Sequence, residues 1–207
     1  MSAIHDRKES GRIEAFSDGV FAIAITLLVL GIKVPKATEL GAGGGLGSAL
    51  IQLWPHYLAF VTSFFTILAL WVNHHRIFTF VRRSDHFFLY WNGLLLLLVT
   101  FMPFPTMVLA EYFLHPDARI AGTVFVGTLV AVGLAFNGLW RYASKNGRLL
   151  AQRIAPEDVD QITKQHRYGP PMYLVAFVVS FLSVGMSVGV CLCLAVYFGF
   201  KGWPTRP

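Results

Sequence analysis

Charge is what this chain lacks. Of its 207 residues only 14% are Asp, Glu, Lys or Arg, while 55% are hydrophobic and the mean hydropathy is +0.58. A water-soluble domain carries about 25% charged and about 45–50% apolar residues, so a soluble globular fold is excluded. Cysteine is nearly absent too: Cys191 and Cys193 are the only two, both in the last apolar run. On a helix they point about 200° apart, at about 100° per residue. They cannot bridge each other there and read as small, buried apolar side chains that define no redox compartment. No P-loop occurs, no span resembles an arginine-rich voltage sensor, and no TVGYG-like run supplies a carbonyl filter. The first apolar run exceeds a signal-peptide h-region, holds Asp18 and lacks a following small-x-small site, so it does not read as a cleaved leader. The net charge of +6 does not indicate nucleic acid, because the basic residues sit in connections and form no basic helix or aromatic-and-basic stripe.

What is present is a series of long apolar runs, each near the roughly 20 residues that cross a bilayer as a helix. Residues 1–11 read as a short polar arm and residues 12–32 as the first span, stopped by Lys33 and Pro35. The glycine-rich stretch 40–47 reads as a flexible connection. The second span covers 54–72, with Trp54, Tyr57 and Trp71 as interfacial anchors, and runs on into Asn73-His74-His75-Arg76. The third covers 87–109, with Pro103 and Pro105 expected to kink or end it near Phe101. The fourth covers 120–142. In the polar connection 143–169, Pro156 with Glu157 and Asp158 opens a short helix that Gly169 closes, expected to lie at the membrane interface. The run 170–200 is too long for one upright span and short for two; Ser183, Gly185, Ser187 and Gly189 mark where it turns. The expectation is an all-α polytopic protein of five or six spans, a single unit over residues 1–207, with the lipid bilayer as its surroundings.

Basic residues set the orientation. One side collects Arg7, Lys8, Arg12, Arg76, Arg82, Arg83, Arg141 and Arg148 among others, and the opposite side only Lys33, Lys36 and Arg119. The N-terminus is therefore expected in the cytoplasm. A sixth span returns Lys201 and Arg206 to the same side, which favours six.

The first span carries the most information. Asp18 lies inside it, and a carboxylate there costs about 2.5–3.5 kcal/mol on insertion scales, so it requires a partner or water. Ile23, Leu27 and Leu30 form a stripe at i, i+4 and i+7, flanked by Thr26 and Gly19. Asp18 looks about 140° away from Ile23 and about 180° from Leu27. The second span returns toward the cytoplasm, so its end is level with the start of the first. Arg12, Ser17 and Asp18 can then meet Trp71, Asn73, His74, His75 or Arg76, with Asp18 paired to Arg12 or Arg76. A structural polar knot is the plain reading. Proton movement through it, in a secondary carrier built on Asp18 and the histidines, is the alternative. His74 and His75 are neighbours on a helix and do not form a metal face as an i, i+4 pair would. The apolar stripe by itself indicates packing or lipid contact.

Arg12-x-x-x-Phe16-Ser17-Asp18 with its attached apolar helix resembles the signature of the transmembrane protein 175 family of potassium channels. Trp71-x-x-His74-His75-Arg76 is similar to the close of that family's second helix, and Asn92 with Pro103-Phe104 to its third. The resemblance implies six transmembrane helices per subunit and a homotetramer around a central pore lined by the first helix. It implies hydrophobic constrictions at Ile23 and at Leu27 or Leu30, and a ring of Thr26 hydroxyls bearing on selectivity. Arg12, Ser17 and Asp18 would hold the helix against the second span. The implied activity is passive, potassium-selective or weakly selective cation conduction, with K+ as the permeant ion, no cofactor and no enzymatic step. The single-repeat length implies a prokaryotic plasma membrane.

Overall fold

The computed structural model describes residues 2–36, 45–151 and 154–201, all helices, turns and connections. Helix α1 runs Ser2–Leu27 and tightens into a 3-10 turn at Leu28–Gly31. Residues 2–11, expected as an arm, are thus helical. Nothing between Ser2 and Arg12 breaks a helix, and the single Gly11 costs it only about 1 kcal/mol. The glycine-rich connection ends in a short helix α2, Gly45–Gln52; its earlier part, residues 40–44, lies outside the described residues.

Helix α3, Trp54–Phe80, opens with Pro55 in its first turn, where a missing N–H is no loss. Helix α4, His86–Phe101, is capped by Asp85, whose Oδ1 accepts the Phe88 N–H at 2.9 Å. The chain breaks at Met102 and continues as α5, Pro103–Tyr112. Pro103 and Pro105 withhold two ladder donors there, which places the expected kink. The Thr106 hydroxyl donates to the Met102 carbonyl at 2.8 Å and meets Ser63 Oγ at 2.7 Å, tying the break to α3. Helix α6 is Ala118–Ser144.

The largest departure from expectation is α7, Pro156–Ser180. It starts at Pro156 but does not stop at Gly169, so the expected short helix is the first half of a longer one, exposed on its outer face. Ile162 is fully buried and Trp140 Nε1 donates to Thr163 Oγ1 at 2.9 Å, so the polar half packs on α6. The helix passes through Pro170 and Pro171 because a neighbour compensates. Pro170 has no N–H for the His166 carbonyl, and Asn137 Nδ2 donates to that oxygen at 2.8 Å instead. The chain turns over at Phe181–Ser183 and returns as α8, Val184–Lys201, so the ambiguous run is divided between two helices. Cys191 is buried but Cys193 is exposed, against the expectation that both are buried; both are free.

Ser10–Gly31, Trp54–Phe80, His86–Tyr112 and Ala118–Gly147 are long and apolar enough to cross a membrane, and Val184–Gly199 is a shorter apolar helix. With α7, and α4 and α5 taken as one, they make six passes. Contacts show that the passes alternate in direction. Asp85 of the α3–α4 connection meets Tyr142 at the end of α6, and Asn73 near the end of α3 meets the Phe198 carbonyl near the end of α8. At the opposite end Lys33, just past α1, meets Glu111 at the end of α5. The core is built on α6, where Phe125, Leu139 and Trp140 are fully buried. Trp91 of α4 lies over Gly138, where a Cβ would come within 2.3 Å of its ring.

Candidate functional site

Helix α1 has one face packed and one face open. Ser17, Phe21, Ala24 and Leu28, at i, i+4, i+7 and i+11, are buried against α3, α4 and α5. Phe16, Ile23 and Leu30 are 68%, 59% and 70% exposed, and Thr26 lies between them, also exposed. Leu27, at 38%, turns partly toward the neighbouring helices. Only 22% of the first span is buried within the subunit, against 39%, 50% and 50% for the other three spans long and apolar enough to cross a membrane. The Thr26 hydroxyl donates back to the Ile23 carbonyl at 2.9 Å, which leaves the lone pairs of its oxygen for a partner outside the helix.

Two interhelical pairs hold α1 to α3. Trp71 Nε1 donates to Asp18 Oδ1 at 2.9 Å, and His75 Nδ1 lies 2.8 Å from Glu14 Oε1. Glu14 and Asp18 are one turn apart on α1, as are Trp71 and His75 on α3, so two antiparallel helices meet as a two-rung ladder. The Trp71 and His75 rings stack at 6.2 Å. Asp18 therefore meets an indole, not Arg12 or Arg76. Arg76 stands five residues, about 140°, round from Trp71 and must face elsewhere. Its Nη1 donates to Gln165 Oε1 of α7 at 3.0 Å. Arg12 is exposed beside a groove between α1 and α4 and has no ion pair among the described residues.

A third connection runs inward. Ser17 Oγ donates to the Ile13 carbonyl at 2.8 Å, so its contact with Asn92 at 3.0 Å must be one in which the Asn92 amide donates. Asn92 Oδ1 is then left to face His74 Nε2 at 2.9 Å, which places the imidazole hydrogen on Nε2. His74 is fully buried between the rings of Phe21 and Phe78. Asn73 faces another way: its amide donates to the Ala69 carbonyl, and Gln165 Nε2 donates to its Oδ1 at 2.9 Å. The expected single polar knot is thus divided. Trp71 and His75 face α1, His74 faces α4 through Asn92, and Asn73 with Arg76 faces α7 and α8.

Three functional candidates escaped the sequence reading: Glu14, Gln165 and Asn92 as the hub between Ser17 and His74. The i, i+4 spacings of Glu14–Asp18 and Trp71–His75 were a readable signal for the first. Nothing in the sequence pointed Gln165 at α3.

Among the described residues the arrangement contains no converging nucleophile and base. It offers an anchored helix whose open face is apolar except for one hydroxyl, within a bundle of membrane-length helices. Such a fold defines a polytopic membrane protein. Comparison with known proteins narrows this. Residues 12–103 match the family described as endosomal/lysosomal potassium channel TMEM175. The chain is 60% identical to a potassium channel of Chamaesiphon minutus over 95% of this chain and 96% of that one. It is 42% identical to a potassium channel of Streptomyces collinus over 95% of each chain. The crystal structure of a lysosomal potassium-selective channel TMEM175 homolog from Chamaesiphon minutus superposes with a TM-score of 0.88 at 57% identity, covering 96% of this chain and 100% of that one. The chain belongs to the TMEM175 family.

Proposed function

We propose that this chain is the subunit of a homotetrameric, potassium-selective channel whose pore is lined by the open face of α1. The carrying observation is that face: α1 is the least covered of the four spans long and apolar enough to cross a membrane, and it belongs to a chain 60% identical to a protein named as a potassium channel. Four copies around an axis would turn Ile23 and Leu30 into apolar rings with Thr26 between them and Leu27 at the flank. A narrow apolar ring sheds water, and an ion cannot cross it without hydration, so such rings gate by dewetting. The Thr26 oxygen, its hydrogen directed to Ile23, offers a ligand that replaces lost water more cheaply for potassium than for the more strongly hydrated sodium. Arg12, Phe16, Ser17 and Asp18 then serve the cytoplasmic end. Ser17 and Asp18 hold the helix to α4 and α3, and Arg12 and Phe16 border the α1–α4 groove. The basic ends of α3 and α6 support a cytoplasmic N-terminus in a prokaryotic plasma membrane.

The test is potassium and sodium flux, compared side by side, in liposomes holding the purified protein. Passive flux favouring potassium is expected. Saturable flux that requires a proton gradient would overturn the reading in favour of a carrier operating through Asp18 and the histidines.

A further inference from the structure

Away from the α1 face, a second surface combines charge with exposed aromatic rings. The α3–α4 connection and the segment after α6 are zipped together. The Arg82 and Arg83 amides donate to the Leu149 carbonyl at 2.9 and 3.3 Å, and the Ala151 amide donates to the Phe80 carbonyl at 3.0 Å. This places the exposed Arg82 and Arg83 beside the exposed Arg148, with the exposed Arg141 and Lys145 on the last turn of α6 and just after it. Arg148 is not free to wander. Its guanidinium lies 5.3 Å over the Tyr142 ring and Nη1 donates to the Tyr142 hydroxyl at 3.0 Å.

Among the described residues the one acid in the cluster, Asp85, is occupied internally. Oδ1 takes the Phe88 N–H and Oδ2 takes the Tyr142 hydroxyl at 2.7 Å. Arg82, Arg141, Lys145 and Arg148 against one such acid leave a strongly positive corner. Directly beside it, the Phe87 ring lies 6.2 Å from Tyr142. From Phe87 an exposed apolar stripe descends α4 through Tyr90, Leu94 and Leu97, at i, i+3, i+7 and i+10. Phe87 and Tyr90 are 68% and 76% exposed, in the position of an interfacial aromatic belt.

We infer that this corner is a docking site for an anionic phospholipid. Its phosphate is held by Arg82, Arg148 and Lys145, and one acyl chain lies along the Phe87–Leu97 stripe. A basic head above an aromatic and aliphatic track at the membrane boundary matches the two halves of such a lipid in order. A second copy of this chain at the same depth would bring the same basic end against it, so charge favours the lipid as occupant. The site is independent of what the pore conducts.

The test uses the full-length protein in phosphatidylcholine vesicles containing a trace of dansyl-labelled phosphatidylglycerol or dansyl-labelled phosphatidylcholine. Energy transfer is read from the tryptophans, of which Trp91 and Trp140 lie on the two helices that carry the corner. Wild type is expected to transfer more strongly to the anionic lipid, and unlabelled phosphatidylglycerol should compete the excess away. The double variant R82Q/K145Q should lose more than about tenfold in apparent affinity, since each basic group near an anionic surface contributes about fivefold. R141Q/K145Q repeats the test without touching the α3–α4 connection. K164Q/R167Q removes the same charge from exposed positions on α7 and should retain the preference. Equal transfer to both lipids in wild type, or equal loss in all three variants, would overturn the site in favour of diffuse surface charge.

Discussion

A carboxylate in the first span, half-buried between helices, tests the fold one hydrogen bond at a time. Trp71→Phe keeps an aromatic ring near His75 but removes the indole N–H that Asp18 accepts. A hydrogen bond to a charged group is worth about 1.5–3 kcal/mol, so the detergent-solubilised variant should melt at a lower temperature by a corresponding amount. An unchanged melting temperature would mean that water serves the carboxylate equally well. Asn92→Leu is the sharper case, because it strips a partner from both Ser17 and buried His74, at about 1–3 kcal/mol for each orphaned group. At the Asp85 cap, partial burial alone would raise the carboxyl. The Phe88 N–H, the Tyr142 hydroxyl and the Arg148 charge outweigh it and hold the group below the ordinary carboxylate range. A depressed folded value contributes stability that is present above the ordinary carboxylate range and is lost as pH falls below it through the folded value. Thermal stability of wild type should therefore drop on acidification more than that of Asp85→Asn, and parallel acid limbs would refute the linkage. Asp18's need of a partner was legible from the cost of a charge in a membrane helix. Its partner was not, because the rotation of α3 about its axis cannot be read from α3 alone, and Trp71 and Arg76 lie on different faces of it.

At the level of the helices, one signal was legible because it is local and one misled because it is not. The Met102 break follows from two missing proline donors in the same helix, and the start of α7 follows from Pro156 with two acids after it. The same rule placed a stop at Gly169, yet α7 runs on through Pro170 and Pro171 to Ser180. The compensating donor comes from α6, 29 positions away in sequence, through Asn137. No window on α7 contains that information. Asn137→Leu should therefore do more than remove a surface amide: the His166 carbonyl would lose its donor, and the helix should fray or kink at the proline pair. Faster amide exchange over residues 166–175 than in wild type is the expected outcome; unchanged protection there would show that the proline pair needs no outside donor. Gly138 offers a second check on the α4–α6 contact. A methyl group placed 2.3 Å from the Trp91 ring forces the indole out, and overpacking of this kind costs about 1–3 kcal/mol.

At the scale of the whole molecule, the question is what covers the open face of α1, and here the subunit alone distinguishes two kinds of contact. Ile23 is 59% exposed and Thr26 is exposed, so replacing either removes almost nothing from the packing of the subunit itself. Exposed substitutions away from caps and cores usually stay within about 0.5 kcal/mol. A functional change at these positions therefore arises outside the subunit's own fold. If the stripe merely glues copies together, Ile23→Ala should weaken the oligomer in detergent and leave potassium flux per assembled channel unchanged. If it constricts a pore, the same change widens an apolar neck, eases its wetting and raises passive flux in intact oligomers. Thr26→Val separates the readings again from the other side. It keeps the volume and the exposure but deletes the oxygen, so a glue would scarcely notice, whereas a pore should lose part of its preference for potassium over sodium. Flux that rises at Ile23→Ala and loses selectivity at Thr26→Val, with oligomer mass unchanged in both, is the pattern a pore produces and a packing seam cannot.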